Sequence, residues 1–203
     1  RQTIGSLELC APQDRALITQ FTASIGPAND ALLHELCLQH AKTTPDAPAV
    51  RSWDGDLTYR QLEDLTSRLA YSLVGQGVGP NIYVACAFYK STWAVVARLA
   101  VLMAGGAYIC VDGSDPPPYL TSVLERTQIK IMLTSAGYKE RFADRVETVF
   151  EVSEASVSSL PLVTSVPCST VTPTDPCVVL FTSGSTGKPK GIVQEHRSYA
   201  SAL

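Results

Sequence analysis

The chain has 203 residues, of which 45% are hydrophobic and 17% are charged, a composition typical of a globular protein. Its 16 basic and 19 acidic side chains give a formal net charge of −3, which argues against a surface that binds nucleic acid. The most apolar stretch, residues 93–104, contains Arg98 and is too short to span a membrane. These features favour a globular protein that binds neither nucleic acid nor a membrane.

The chain begins with Arg1 rather than methionine and carries no recognisable signal peptide, so we expect it to begin inside a longer polypeptide. Residues 1–28 are predicted to form a linker with one short helix, and residues 29–203 belong to one domain. The six cysteines form no CxxC pair and the histidines are scattered, so no zinc site is predicted. We expect reduced thiols in a cytoplasmic protein, with Cys86 and Cys110 packed as small hydrophobic residues.

Three elements follow the linker. A helix is predicted to begin after Asp30, a favourable N-cap residue. An Asp-Gly pair at residues 54–55, between two strand-like runs, predicts a β-hairpin. Thr58 and Gln61 form a T-x-x-Q capping box, which predicts the start of an amphipathic helix.

From residue 82 onward, strand and helix signals alternate. Short apolar runs predict buried strands at residues 82–88, 107–111, 130–133, 148–152 and 177–181. Helices are predicted at residues 91–104, 117–127, 138–144 and 196–203. Residues 153–173 are predicted to form a surface connection. The repeating order predicts an α/β fold, with a mainly parallel sheet flanked by helices on both faces.

One stretch, residues 181–191, carries chemistry. It contains three glycines, four hydroxyl-bearing residues and two lysines: Gly184, Gly187, Gly191, Thr182, Ser183, Ser185, Thr186, Lys188 and Lys190. Glycines let a backbone approach a ligand closely, and successive N–H groups can form a nest that binds an anion. A loop of this kind after a buried strand predicts a polyphosphate site that stabilises an anionic leaving group.

The loop does not match the Walker A pattern. Only two residues separate Gly184 from Gly187, and Pro189 rather than Ser or Thr follows Lys188. A P-loop kinase or GTPase is therefore disfavoured. The alternative of a flexible surface turn is also disfavoured, because such turns rarely follow a buried strand with so many glycine, hydroxyl and lysine groups.

This loop resembles the phosphate-binding signature of adenylate-forming enzymes, particularly the adenylation domains of nonribosomal peptide synthetases. Residues 192–197 continue the same signature. Residues 57–62 resemble the family's first core motif, and residues 102–112 resemble its second. The three motifs occur in the family's order, and the resemblance covers about residues 30–203. Residues 6–25 resemble the linker that follows a condensation domain.

The resemblance implies that residues 29–203 are the N-terminal part of the large subdomain of the adenylate-forming fold. It implies an ATP-dependent ligase in which an amino or related acid reacts with Mg-ATP to give an acyl-AMP and pyrophosphate. The acyl group would then pass to phosphopantetheine on a neighbouring carrier domain. A condensation domain would be the other neighbour in the parent chain of a secondary-metabolite pathway.

The resemblance also assigns residues in the loop. The β- and γ-phosphates of ATP would contact Thr182, Ser183, Gly184, Ser185, Thr186 and Gly187. Lys190 would be the charged phosphate contact, and Lys188 occupies a more variable position. Structural roles are expected for Tyr59, Tyr108 and Asp112, and His196 and Arg197 are expected to cap or orient the helix after the loop.

Two features set this chain apart from the family's pattern. Where the family often has Asp-Pro-Ser-His-Pro followed by an arginine, residues 112–119 read Asp-Gly-Ser-Asp-Pro-Pro-Pro-Tyr, so the local helix geometry is expected to differ. The family's domain is more than twice as long, and its acid pocket, adenine motif, ribose-binding Asp and catalytic Lys would lie beyond residue 203. No catalytic or metal-binding residue is therefore assigned, and the chain alone is expected to be inactive.

Two other interpretations remain open from the sequence. The chain could be part of a related acyl-CoA ligase or luciferase-like enzyme, which shares the loop but lacks condensation and carrier domains. It could also be a truncated, non-catalytic binding module. Neighbouring sequence would separate the first from the main interpretation, and a nucleotide interaction unaffected by Lys190→Ala would indicate the second.

Overall fold

Helices and strands alternate along most of the chain in the computed structural model, which describes residues 10–23, 26–163, 170–182 and 189–202. The α-helices are α1 Pro12–Thr22, α2 Leu33–Thr43, α3 Tyr59–Gly75, α4 Thr92–Met103, α5 Pro117–Thr127, α6 Lys139–Phe142, α7 Glu154–Ser158 and α8 His196–Ala200. The strands are β1 Pro48–Val50, β2 Leu57–Thr58, β3 Tyr83–Ala87, β4 Ala107–Cys110, β5 Ile131–Thr134, β6 Thr148–Glu151, β7 Pro176–Thr182 and β8 Lys190–Glu195. The alternation predicted from residue 82 onward is confirmed.

A six-stranded sheet in the order β6-β5-β3-β4-β7-β8 organises the described residues. The strands from β6 to β7 run parallel to one another, and β8 pairs antiparallel with β7. The mainly parallel sheet is therefore as predicted, but β8 was missed by the sequence analysis. It lies at the edge of the sheet and its first four side chains are exposed, so its sequence lacks the apolar pattern of a buried strand.

Helices cover both faces of this sheet. On one face, Val84 and Cys86 of β3 pack with α3, α4 and Val157 of α7. On the other face, Ala85 and Ala87 pack with α5 and α6. Successive side chains of a strand point to opposite faces. Because helices cover both faces at β3, its side chains are apolar on both sides and its sequence is one apolar run.

Among the described residues before α3, the predicted helices and hairpin form, except that α2 begins later than predicted. The β1–β2 hairpin is antiparallel, with Pro48 opposite Thr58. The prediction that Asp30 caps α2 is wrong, because the helix begins at Leu33 with Leu32 as its N-cap residue. Residues 26–32 instead extend toward α8, where the Asn29 backbone N–H donates to the Ser201 hydroxyl at 2.9 Å.

The capping box at the start of α3 is confirmed. The Thr58 hydroxyl accepts from the Gln61 backbone N–H at 3.3 Å, and the Gln61 side-chain carbonyl accepts from the Thr58 N–H at 2.9 Å. The two residues thereby satisfy two backbone donors that have no partner within the helix. The helix then buries Leu62, Leu69 and Leu73 in a hydrophobic cluster that also contains residues of α4 and β3.

Substitution of Thr58 by alanine is expected to lower the free energy of unfolding by about 1 kcal/mol, because it removes this cap. Urea denaturation monitored by circular dichroism would measure the change. Ser67→Ala, in the middle of the same helix, is the matched control. It should not destabilise the protein, because alanine is the better helix former. Equal effects of the two substitutions would contradict the capping role.

The connection after β6 contains a short helix that was not predicted. Ser153 caps α7 by accepting from the Ser156 backbone N–H at 3.3 Å, and Val157 is fully buried. Within residues 153–173 the predicted surface connection therefore begins with a packed turn of helix. Its serine-rich sequence hid this turn, because serine favours caps and connections alike. Residues 164–169 lie outside the described part.

Helix α1 lies in the predicted linker and contains no buried residue. Its apolar side chains Leu17, Ile18 and Phe21 are all more than half exposed. No helix in the described ranges is long and apolar enough to cross a membrane.

Candidate phosphate-binding site

Strand β7 brings the predicted phosphate loop to the carboxyl edge of the parallel sheet. Its residues Cys177, Val178 and Val179 are buried, and Val178 and Val179 pair with Tyr108 and Ile109 of β4. Open α/β sheets bind ligands at the carboxyl ends of their strands. The loop that follows β7 therefore leaves the sheet at the edge where a ligand would bind.

Beyond this pairing, β7 and β8 continue as a two-stranded ribbon that we call the stem, residues 180–182 and 189–192. Phe181 lies opposite Gly191, and Thr182 lies opposite Lys190. The Thr182 hydroxyl lies 3.5 Å from the Lys190 carbonyl oxygen, a weak contact. The structure thus brings together two predicted phosphate contacts, Thr182 and Lys190, both exposed where the loop begins and ends.

The remaining predicted phosphate contacts lie outside the described residues. They are Ser183, Gly184, Ser185, Thr186, Gly187 and Lys188. Their assignment continues to rest on the sequence resemblance. The site can be described at its base, where the two strands of the stem meet the loop.

Two residues, Gly191 and Arg126, support the end of the stem next to the loop. The sequence did not indicate this role for either of them. A Cβ atom on Gly191 would lie 3.1 Å from Cζ of Phe181, so glycine lets the aromatic ring cross the neighbouring strand. Arg126, in the last turn of α5, donates from Nη1 to the Pro189 carbonyl oxygen at 2.9 Å. No local pattern indicates a contact between residues that are 63 positions apart.

The residues expected to have structural roles make contacts away from the loop. Tyr59 opens α3 and packs against the His40 ring with centroids 5.3 Å apart. The Arg98 guanidinium lies over the Tyr108 ring, 5.9 Å from its centroid. Asp112 forms a tight turn by accepting from the Ser114 backbone N–H and hydroxyl, each at 2.8 Å. These hydrogen bonds, the backbone one first, lower the pKa of Asp112.

His196, at the start of α8, joins the segment after the loop to the N-terminal part of the domain. It is fully buried, and its Nδ1 accepts from the Leu33 backbone N–H at 3.1 Å. Its ring lies edge-on to that of His34, with centroids 5.9 Å apart. Arg197 instead pairs with Glu195 at 2.7 Å. These contacts fix α8, and with it the end of β8, against α2.

Both histidines are held neutral. Burial lowers the pKa of His34 to about 4. Burial, reinforced by His34, also lowers the pKa of His196 to about 4, against the opposing carboxylates of Asp175 and Glu35. The contact between α2 and α8 therefore requires the imidazole rings of His34 and His196 to be uncharged.

Acidification is expected to weaken this contact. The unfolded chain binds a proton at each histidine near pH 6.5 and the folded chain only near pH 4, so the stabilisation is full above pH 6.5 and is lost as pH falls toward 4. Between pH 7 and pH 5 each histidine should cost about 2 kcal/mol of unfolding free energy. Urea denaturation at both pH values would measure this loss.

His196→Gln should reduce the loss of unfolding free energy on acidification, because it removes one of the two buried histidines. A His196→Gln variant that keeps the whole pH dependence would contradict the assignment.

The described residues form an α/β domain in which β7 leads into the predicted phosphate loop at the carboxyl edge of the sheet and β8 follows that loop. The chain belongs to the AMP-binding enzyme family, whose sequence profile matches residues 37–203. The family resemblance drawn from the three motifs, and the α/β fold that it implies, are thereby confirmed.

Nonribosomal peptide synthetases are among the relatives of this chain. It is 42% identical over 197 residues to the nonribosomal peptide synthetase easA of Emericella nidulans, with 97% of this chain and 3% of that protein covered. It is 38% identical over 200 residues to the nonribosomal peptide synthetase apmB of Penicillium brevicompactum, with 98% and 8% covered. The chain thus spans less than a tenth of the length of either relative.

Solved structures of nonribosomal peptide synthetases are similar to the structure of this chain. The nonribosomal peptide synthetase FmoA3 bound to α-methyl-L-serine-AMP superposes with a TM-score of 0.81 at 28% identity, over 97% of this chain and 22% of that chain. Its AMPPNP-bound form gives 0.80 at 29% identity, over 96% and 20%. The N-terminal subdomain of Klebsiella oxytoca NpsA, at 23% identity and a TM-score of 0.73 over 84% and 43%, shares the fold.

Proposed function

We propose that this chain is the N-terminal part of an adenylation domain that activates an amino or related acid with ATP. The observation that carries the proposal is the stem of β7 and β8, which mounts a Gly/Ser/Thr/Lys loop at the carboxyl edge of the sheet with Thr182 opposite Lys190. The nucleotide-bound forms of a solved relative, with AMPPNP and with an aminoacyl-AMP, support it.

Formation of an acyl-AMP requires a site that stabilises a polyphosphate leaving group. A carboxylate oxygen of the acid attacks the α-phosphorus of ATP, the bond to the bridging oxygen breaks, and pyrophosphate leaves with the electron pair. Backbone N–H groups and hydroxyls of residues 182–187, with the Lys190 ammonium, would offset the charge on the β- and γ-phosphates. Lys188, at a more variable position of the signature, would be a second charged contact.

The metal ion fits this proposal as a companion of the nucleotide. Within the described ranges no group of three or more His, Cys, Asp or Glu side chains is placed to hold a metal. Mg²⁺ usually binds substrate phosphates and keeps several waters, so it does not need such a group. We therefore propose Mg-ATP as the substrate, with the metal ion held mainly by the phosphates of the nucleotide and by water.

The wider setting is also part of the proposal. Residues 29–203 would belong to the adenylation domain, and residues 1–28, with the exposed helix α1, would be the linker after a condensation domain. A carrier domain would receive the acyl group on its phosphopantetheine thiol. The nonribosomal peptide synthetases among the relatives support this arrangement. A cytoplasmic location is proposed from the unpaired thiols of the described cysteines.

The two other interpretations are less well supported. An acyl-CoA ligase or luciferase-like enzyme would share the loop, but the relatives that match at 34–42% identity include several nonribosomal peptide synthetases. A non-catalytic module would need no phosphate loop, and this loop retains the glycines, hydroxyls and lysines of the signature.

ATP–pyrophosphate exchange on the natural full-length polypeptide tests the proposal. Separate pools of amino acids, aryl acids and fatty acids would be supplied with Mg-ATP. We expect exchange above background with an amino or related acid, and no exchange by the 203-residue chain on its own. A folded full-length polypeptide without exchange in any pool would overturn the proposal, and exchange with fatty acids alone would favour the acyl-CoA ligase.

A further inference from the structure

The stem that holds the phosphate loop has little support from the sheet. Strand β4 pairs with β7 at Val178 and Val179, and the next three β7 residues pair with β8. An isolated two-stranded ribbon is marginally stable in water. The side chains on one face of the stem, Leu180 and Ile192, are 39% and 47% exposed. The position of the stem therefore depends on contacts made on its other face.

Helix α5 lies on that other face and supplies two such contacts. Phe181 packs against the hydrophobic cluster that includes Leu120 and Val123 of this helix. The Arg126 guanidinium then donates to the Pro189 carbonyl oxygen at 2.9 Å. No other side-chain hydrogen bond joins a different element to residues 180–182 or 189–192, among the residues that the structure describes.

The two partners of this hydrogen bond are suited to it. Pro189 is buried and has no N–H group, so its carbonyl oxygen is the backbone atom by which the residue can be held. Arg126 lies in the last turn of α5, where a cation is favoured by the carbonyl end of the helix. The helix is itself fixed by its buried leucine and valine side chains. The bond thus links a rigid element to the residue immediately before Lys190.

We propose that Arg126 is a positioning residue for Lys190 at the predicted phosphate site. By holding the Pro189 carbonyl oxygen, it fixes the strand end from which Lys190 extends, and so keeps the Lys190 ammonium group in place for a polyphosphate. This inference rests on the proposed function, because it assigns Arg126 to the same nucleotide site.

Loss of the hydrogen bond should loosen the stem at Lys190 without removing any phosphate contact. Charge-assisted hydrogen bonds are strong, but this one is partly exposed, so a moderate effect is expected. In Arg126→Met, the dissociation constant of Mg-AMPPNP and the KM for ATP should rise about fivefold to tenfold. The KM for the acid should stay unchanged. A purely structural defect would instead reduce the active fraction and leave both KM values as they are.

The experiment compares three variants of the natural full-length polypeptide. Arg126→Met removes the donor, Arg126→Lys keeps a cation with a donor, and Arg145→Met is the matched control. Arg145 also binds α5, donating to the Thr121 hydroxyl at 3.3 Å, but lies away from the stem. The measurements are AMPPNP titration and hydrogen–deuterium exchange over residues 180–192. The kinetics of ATP–pyrophosphate exchange, which give the two KM values, are a third measurement.

We expect faster hydrogen exchange in the stem and weaker AMPPNP binding for Arg126→Met, an intermediate result for Arg126→Lys, and no change for Arg145→Met. If Arg126→Met leaves both the hydrogen exchange of the stem and the binding of AMPPNP unchanged, the inference is overturned. If that variant does not fold, Arg126→Lys decides by the same two measurements. Failure of the proposed function is distinguishable, because the unmodified protein would then lack acid-dependent pyrophosphate exchange.

Discussion

Substitution of Lys190 by alanine is expected to lower acid-dependent ATP–pyrophosphate exchange by about 100-fold, the effect of removing one strong contact to a charged transition state. Lys190 is exposed at the first position of β8, opposite Thr182, where the loop rejoins the sheet. Its ammonium group would offset the charge that builds up on the leaving pyrophosphate. The loss should be seen in kcat/KM for ATP, measured at saturating acid.

The control for this substitution is Lys42→Ala. Lys42 is exposed near the end of α2 and lies outside the predicted phosphate loop. Its removal changes the net charge by the same amount and should leave the exchange rate unaltered. If Lys190→Ala and Lys42→Ala both keep kcat/KM within about threefold of the unmodified protein, Lys190 is not a phosphate contact.

Substitution of Gly113 by alanine is expected to lower the free energy of unfolding by about 2–3 kcal/mol. A Cβ atom at this position would overlap the ring of Tyr138. That ring cannot easily move, because it is 9% exposed and stacks on Tyr89 with centroids 4.5 Å apart. It also meets Phe142 edge-on. The substitution would therefore force apart the loops that follow β3, β4 and β5.

Gly79→Ala is the control, because a Cβ atom there would meet nothing within 4 Å. Thermal or urea denaturation should show a large loss for Gly113→Ala and little change for Gly79→Ala. Equal stability of the two variants would contradict the packing of Tyr138 over Gly113. The contact also gives a physical reason for the departure at this position, where the family often has proline, since a ring at residue 113 would not fit beneath Tyr138.

The elements with strong local signals could be predicted from the sequence. Helix α3 follows from its capping box and leucine stripe, and α5 was predicted with the bounds that it has, because proline favours the first turn of a helix. The parallel strands follow from short apolar runs. These signals depend on residues close together in sequence, so they survive without knowledge of the tertiary structure.

Features set by pairing or by distant contacts could not be predicted. Strand β8 is exposed, and its pairing with β7 defines it. The start of α2 was assigned to Asp30, but the helix begins at Leu33, and Asn29 instead binds the C-terminal end of α8. Cys86 is buried as expected, whereas the prediction that Cys110 packs inside is wrong, because β4 ends there and leaves the side chain exposed.

The same distinction applies to the candidate site. The loop sequence identifies which residue types would meet a polyphosphate, because glycine, hydroxyl and lysine groups are concentrated in one short stretch. It does not indicate that Thr182 faces Lys190, which requires the register of β8. Nor does it indicate that Arg126 holds Pro189, since that contact joins a helix and a loop far apart in the chain.

The proposed function requires the loop on the β7–β8 stem to hold the phosphates of ATP. Hydrogen–deuterium exchange of the natural full-length polypeptide, with and without Mg-AMPPNP, tests it most directly. We predict that the nucleotide slows exchange in peptides covering residues 180–192. A cavity of about 520 Å³ lies at the opposite edge of the sheet, near the amino ends of the parallel strands, and is lined by Gln76, Lys130 and Glu147 among others. Protection around that cavity, with none in residues 180–192, would contradict the claim.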